Sequence, residues 1–272
     1  VWGMKMVGKI MFRRMKKNPS FIEIAMKMSG SLKKSFSKLK SGNAYFFLAG
    51  FKINIGFVFK SSKFLKYAFA ILAILPVLID YAFLYLKIGY WDYGDRFLMI
   101  VPFVLLYIFA AKDDLQALGF RLIPEQGWKH WLKVAAILGF IIGLLIVIFS
   151  IGVILSGNSI KWHDYVLPPF LFWERFVHSC ILASLLEEMI YRFLFCVPMV
   201  NVIGKPGTII VNGFIFATLH ALYGNLNIDN FVAGFILSWA FLRSNSILVP
   251  IFFHFIGNFS VLIIHMLIYS LL

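Results

Sequence analysis

Beyond residue 62 the chain is a series of long apolar runs separated by short polar breaks. Seven runs approach the roughly 20 residues that a bilayer core requires. They cover about 64–86, 97–111, 131–155, 170–199, 207–222, 230–243 and 246–270. The period-two alternation of a transmembrane barrel is absent. The pattern predicts an all-α, polytopic membrane protein of about seven to eight transmembrane or membrane-embedded helices. The runs at 207–222 and 230–243 are short, which suits tilted or partly enclosed helices. Pro76 is expected to kink the first. Residues 112–130 read as a polar connector, in which Pro124-Glu125-Gln126-Gly127-Trp128 marks the start of the third span with a tryptophan at an interface.

Residues 1–62 follow another pattern. Phe12, Phe21, Ile22, Ile24 and Leu32 stand among lysines, as in helices that lie on a membrane surface. The expected organisation is therefore a basic interfacial segment, 1–62, followed by a helical membrane domain, 63–272.

Composition agrees with the apolar runs: 61% of residues are hydrophobic and mean hydropathy is +0.87. The net charge of +14 adds a direction. Residues 1–66 hold fifteen lysines and arginines against Glu23 alone, and the rest of the chain holds eleven charges of each sign. A polybasic segment beside a membrane helix belongs on the cytoplasmic side, where anionic lipid attracts it. Alternation then makes the loops at 112–130, 200–206 and 243–246 cytoplasmic, as their Lys112, Arg121, Lys129, Lys205 and Arg243 suggest. The loops at 87–96, 156–169 and 223–229 carry Asp92, Asp95, Asp164 and Asp229 and face away. No nucleic-acid motif accompanies the basic segment, so lipid is the expected partner. It also lacks the short apolar core and cleavage site of a signal peptide.

Three polar clusters interrupt the last apolar runs. They are Glu187-Glu188-Met189-Ile190-Tyr191-Arg192, Phe216-Ala217-Thr218-Leu219-His220 and His254-Phe255-Ile256-Gly257-Asn258. Ionisable groups at membrane depth are costly and mark functional sites by default. At 1.5 Å per residue, Glu187 lies roughly 18 Å, His220 roughly 20 Å and His254 roughly 12 Å below the same face. One shared polar cavity would satisfy all three clusters. Glu188 and Arg192 are four apart and share a helix face, so they are expected to pair and to leave Glu187 available. His254 and Asn258 share a face in the same way, and Gly257 between them suggests close approach of a neighbouring backbone.

Taken singly, each residue has a bland reading. A Glu–Arg pair can be structural, a lone histidine is more often a satisfied core residue, and an asparagine can tie helices together. His265, with nothing polar a turn away, fits the bland reading. His130, His163 and His178 sit at interfaces or lack charged partners. Cys180 and Cys196 are about 24 Å apart along one helix, too far to bridge, and read as packed or lipid-facing residues.

The ordered set Glu-Glu-x-x-x-Arg, Phe-x-x-x-His and His-x-x-x-Asn on successive membrane helices resembles the CPBP family of CAAX proteases and bacteriocin-processing enzymes. The resemblance covers about residues 112–268. It implies an intramembrane endopeptidase in which Glu187 and His220 activate water and His254 and Asn258 stabilise the oxyanion. Glu188, Arg192 and Phe216 would support them. Peptides or membrane-protein segments would be substrates, with a prenylated CAAX end as one possibility. Glu187, His220 and His254 could alternatively hold zinc with an open position. No His-Glu-x-x-His is present, and the resemblance favours a metal-free, glutamate-dependent reaction with no cofactor. Two other functions compete. A non-catalytic peptide-binding or self-immunity protein would often lack one of these glutamates or histidines. A proton-coupled transporter would show repeated halves with broken helices.

Overall fold

The computed structural model describes residues 63–86, 93–111, 114–156, 167–222, 224 and 228–271. The expected basic interfacial segment at 1–62, and with it the anionic-lipid contact, lies outside the described residues, as does His163. The described residues form a helical membrane protein. In chain order its helices are α1 (Lys63–Leu86), α2 (Tyr93–Ala110), α3 (Gly127–Leu155), α4 (169–203), α5 (205–222), α6 (Ile228–Ser244) and α7 (Leu248–Leu271). Five helical stretches are long and apolar enough to cross a membrane, and one of them, Pro169–Leu222, contains both α4 and α5.

The α4–α5 break has a local cause. Gly204 adopts φ 72° and ψ 171°, which a side chain at that position would resist. Pro206 then opens α5, where a missing N–H costs nothing. The Thr208 hydroxyl donates back to the Gly204 carbonyl at 2.7 Å. This corner lies close to α6, because Lys205 Nζ donates to the Leu242 carbonyl at 2.9 Å.

The loops expected on one membrane face do meet. The Glu125 N–H donates to the Ser244 carbonyl at 2.8 Å, and the Ile247 N–H to the Gly119 carbonyl at 2.9 Å. Ser246 Oγ donates to the Arg121 carbonyl at 2.6 Å. Trp131 Nε1 then ties the start of α3 to the Glu125 carbonyl at 2.8 Å. Beyond that anchor α3 is an outer helix, exposed along its whole length from 139 to 149. In an integral membrane protein such a face meets lipid.

α4 is not a uniform α-helix. Two wide π-helical stretches, Phe176–Ala183 and Glu188–Cys196, flank the single α turn Ser184–Glu187. Wide turns displace backbone carbonyls from their usual partners. Side chains of three other helices bond carbonyls within them. Asn258 Nδ2 of α7 donates to Ser179 O at 2.7 Å. Asn212 Nδ2 of α5 donates to Tyr191 O at 2.6 Å. Tyr107 Oη of α2 donates to Leu194 O at 2.8 Å. Cys180 and Cys196, both on this helix, are buried free thiols.

Two sequence expectations change. The second helix begins at Tyr93, not near 97, so Arg96 belongs to a helix and is buried. Gly257 makes no close approach, since a Cβ there would meet nothing within 4 Å. The close crossing lies instead between α5 and α6. A Cβ on Gly234 would sit 2.8 Å from the Gly213 carbonyl oxygen, and backbone cannot swing aside. Gly234→Ala is therefore expected to destabilise the protein by about 1–3 kcal/mol through overpacking. Gly257→Ala should leave stability unchanged. Thermal unfolding of both variants in detergent checks this, and equal midpoints would contradict the close crossing.

Candidate active site

The first cluster lies where the single α turn of α4 passes into the second π stretch. It presents two i,i+4 pairs to different neighbours. Glu188 and Arg192 turn towards α5, α6 and α7. Arg192 Nε is 3.1 Å from Glu188 Oε2, and both side chains are fully buried. Glu188 Oε1 is 2.8 Å from His254 Nδ1 on α7. One carboxylate thus joins the first cluster to the third, and the expected Glu188–Arg192 pair is present.

Phe216, only 1% exposed, connects the second cluster to both others. Its ring lies 4.2 Å from Arg192 Cζ, 4.5 Å from the His220 ring and 6.0 Å from the His254 ring. A buried guanidinium over an aromatic face is a favourable cation–π contact. Phe216 is thus a central contact of the site. The Phe-x-x-x-His spacing serves a second bond as well, since His220 Nδ1 lies 3.0 Å from the Phe216 carbonyl.

These contacts assign ring protons. A carbonyl only accepts, so Nδ1 of His220 carries hydrogen and its neutral Nε2 is an acceptor. An ionised Glu188 also only accepts, so Nδ1 of His254 carries hydrogen too. When Nε2 of His254 is protonated as well, it becomes a donor whose positive charge Glu188 stabilises.

The other pair on α4, Glu187 and Tyr191, turns towards α1 and α2. Glu187 Oε1 lies 3.8 Å from Arg96 Nη1. Arg96 also holds Asp80 through Nε to Oδ1 at 2.8 Å and Nη2 to Oδ2 at 3.2 Å. Tyr191 Oη donates to the same Asp80 Oδ2 at 2.6 Å. Glu187, which the Glu188–Arg192 pair was expected to leave available, thus has Arg96 beside its Oε1. Its Oε2, however, is buried without a protein hydrogen bond. So is the Ser184 hydroxyl one turn earlier.

Burial grades across the cluster. Glu188, Arg192, Asp80 and Tyr191 are fully buried and Glu187 is 6% exposed, whereas His220, His254 and Asn258 are only half-buried. Unit charges about 4 Å apart attract by about 4 kcal/mol at an effective dielectric near 20. The shorter pairs here lie in that range or closer. Two arginines face three carboxylates, so with neutral histidines the group carries one negative charge.

Asn258 is placed differently from the histidines. Its amide donates to the Ser179 carbonyl and so ties α7 to the first π stretch of α4. An amide has two N–H donors, and this bond uses one. The zinc alternative can be tested on the donors themselves. Among the described residues, no three His, Cys, Asp or Glu side chains converge as a metal-ligand set. The zinc alternative is decided by chelation of the purified protein.

Sequence reasoning missed Asp80, Arg96 and Tyr191. Asp80 is an acid deep in an apolar run, which is the same signal that exposed the other clusters. Arg96 was hidden because the start of its helix was placed after it.

A family model described as type II CAAX prenyl endopeptidase Rce1-like matches residues 168–260. The match starts at the head of α4 and ends within α7, so it contains all three clusters and leaves α1, α2 and α3 outside. No curated protein and no solved structure matches the chain. Residues 168–260 of this helical membrane protein are thus similar to the Rce1-like type II CAAX prenyl endopeptidase family.

Proposed function

We propose that the protein is an intramembrane endopeptidase that hydrolyses a peptide bond in a membrane-associated substrate, such as a CAAX-like C-terminal segment. One observation carries this reading. Two adjacent glutamates lie in one buried cluster, with Glu188 held by Arg192 and His254 while Glu187 keeps Oε2 without a protein partner.

In the reaction, Glu187 Oε2 accepts a proton from water. Nε2 of His220 is an acceptor that relays the proton. The water oxygen attacks the scissile carbonyl carbon, and its oxygen gains negative charge. His254, protonated on Nε2 and backed by Glu188, donates to that oxygen together with the second N–H of Asn258. Such donors act strongly where water is excluded. Glu187 then returns the proton to the leaving amine, and the tetrahedral intermediate collapses to a carboxylate and an amine. No metal and no cofactor enters this scheme. The charge bias of the loops supports a cytoplasmic 114–126 and 244–247 face, with the site reached from that half of the membrane.

The test is cleavage by purified protein in detergent of a farnesylated CAAX peptide and of an unmodified leader-type peptide, each with and without a strong zinc chelator. The expected result is cleavage of at least one peptide at a rate the chelator leaves unchanged. Binding of both without cleavage would favour the peptide-binding alternative. Loss on chelation with recovery on adding zinc would overturn the metal-free scheme.

A further inference from the structure

Glu187 has a cation beside it that comes from outside the matched domain. Arg96 lies on α2 and Asp80 on α1, and both are buried, at 3% and 0% exposure. Their geometry is specific. Nε and Nη2, one edge of the guanidinium, hold both oxygens of Asp80, and this leaves Nη1 at the opposite end towards Glu187. Tyr191 fixes Asp80 from α4 itself, one turn beyond Glu187. The arginine thus cannot rotate away without breaking a two-point bond. At 3.8 Å from Glu187 Oε1 it exerts charge without forming a hydrogen bond.

We propose that Arg96, aimed by Asp80, is a positioning residue for the Glu187 carboxylate: it draws Oε1 towards α2 and leaves Oε2 turned to the substrate water. The proposal rests on the reading of Glu187 as the base. A plain helix tie would need only the Asp80–Arg96 pair. A positioning role additionally requires the Glu187 carboxylate, and with it turnover, to respond to the loss of Arg96.

Other ionisable groups also act on Glu187. Asp80 on α1, Arg96 and Tyr93 on α2 and the adjacent Glu188 surround it, and Arg175 at the head of α4 acts on the same Tyr93. His220 on α5 and His254 on α7 flank the Phe216 ring. Tyr191 and Arg192, one turn on, are bonded to Asp80 and Glu188.

The experiment uses the full chain in lipid. Infrared difference spectroscopy at one fixed pH isolates the Glu187 carboxylate stretch as the difference between wild type and Glu187→Gln, and it requires no substrate. The double variant Asp80→Asn with Arg96→Gln removes the charge pair together and leaves two amides that can bond each other. Its Glu187 carboxylate stretch is expected to shift in frequency, because the cation beside Oε1 is gone. Asp80→Asn alone leaves Arg96 facing Glu187 without its competitor, so the signal should move the other way. Arg96→Lys keeps the charge but cannot hold both Asp80 oxygens and face Glu187 at once, so its kcat should fall between wild type and the double variant. With the farnesylated CAAX peptide, kcat of the double variant should fall by about 100-fold with KM little changed, as for a misplaced catalytic group.

An unmoved Glu187 signal in the folded double variant would overturn the proposal. If that variant fails to fold, an unmoved signal in Asp80→Asn would do the same. Full cleavage by Glu187→Gln would instead sink the base reading and leave the infrared shifts as they are, so the two failures are distinguishable.

Discussion

Glu187→Gln is expected to abolish cleavage while leaving a folded, membrane-inserted protein. The catalytic half follows from the base role. A positioned general base contributes typically about 10²–10⁴-fold, and glutamine cannot take a proton from water. The structural half follows from the neighbours. Arg96 keeps its two bonds to Asp80 when Glu187 becomes neutral, so no buried charge loses its partner. Glutamine also matches the shape of glutamate in a 6%-exposed position. Single-turnover cleavage of the farnesylated CAAX peptide, beside thermal unfolding in detergent, checks both halves. Wild-type turnover in this variant would remove Glu187 from the reaction. Loss of folding would show that the carboxylate serves the core instead.

The same contrast explains what could be read from the sequence. The three clusters were legible because a charge inside an apolar helix needs a reason, and their i,i+4 spacings are local. Glu188–Arg192 and Phe216–His220 therefore appear as expected. Contacts between helices were less legible. Nothing in the spacing around Asp80 says that a guanidinium from α2 will bind it, and the start of that helix hid Arg96. The glycines follow the same rule. A glycine in a helix shows that a neighbour can come close, but not which neighbour does. Gly257 therefore looked like a crossing point, whereas Gly213 and Gly234 form one. The π stretches of α4 have no local signature either. Carbonyls within them are bonded by Asn258, Asn212 and Tyr107, donors that lie on three other helices. The Arg192 arrangement combines both kinds of contact, one local and the others tertiary.

Glu188→Gln makes the same chemical change one residue further on and should behave differently. Arg192 is fully buried, and Glu188 is the carboxylate it pairs with. Its other contacts are the Phe216 face at 4.2 Å and the Gly234 carbonyl at 3.5 Å. A desolvated cation–π contact contributes about 2 kcal/mol. Leaving a buried charge without its partner costs about 3–5 kcal/mol. The aromatic face therefore does not make up the loss, and the variant should be less stable than Glu187→Gln by a few kcal/mol. Replacing both Glu188 and Arg192 by methionine removes the two charges together, and stability should return to near wild type. Activity should not return, because His254 has lost the carboxylate that orients its ring and stabilises its charge. Denaturation in mixed micelles ranks the three variants, and the peptide assay separates stability from turnover. A Glu188→Gln protein as stable as Glu187→Gln would show that the aromatic face and backbone carbonyls hold Arg192 unaided. A cleaving double-methionine variant would show that His254 acts without Glu188 behind it.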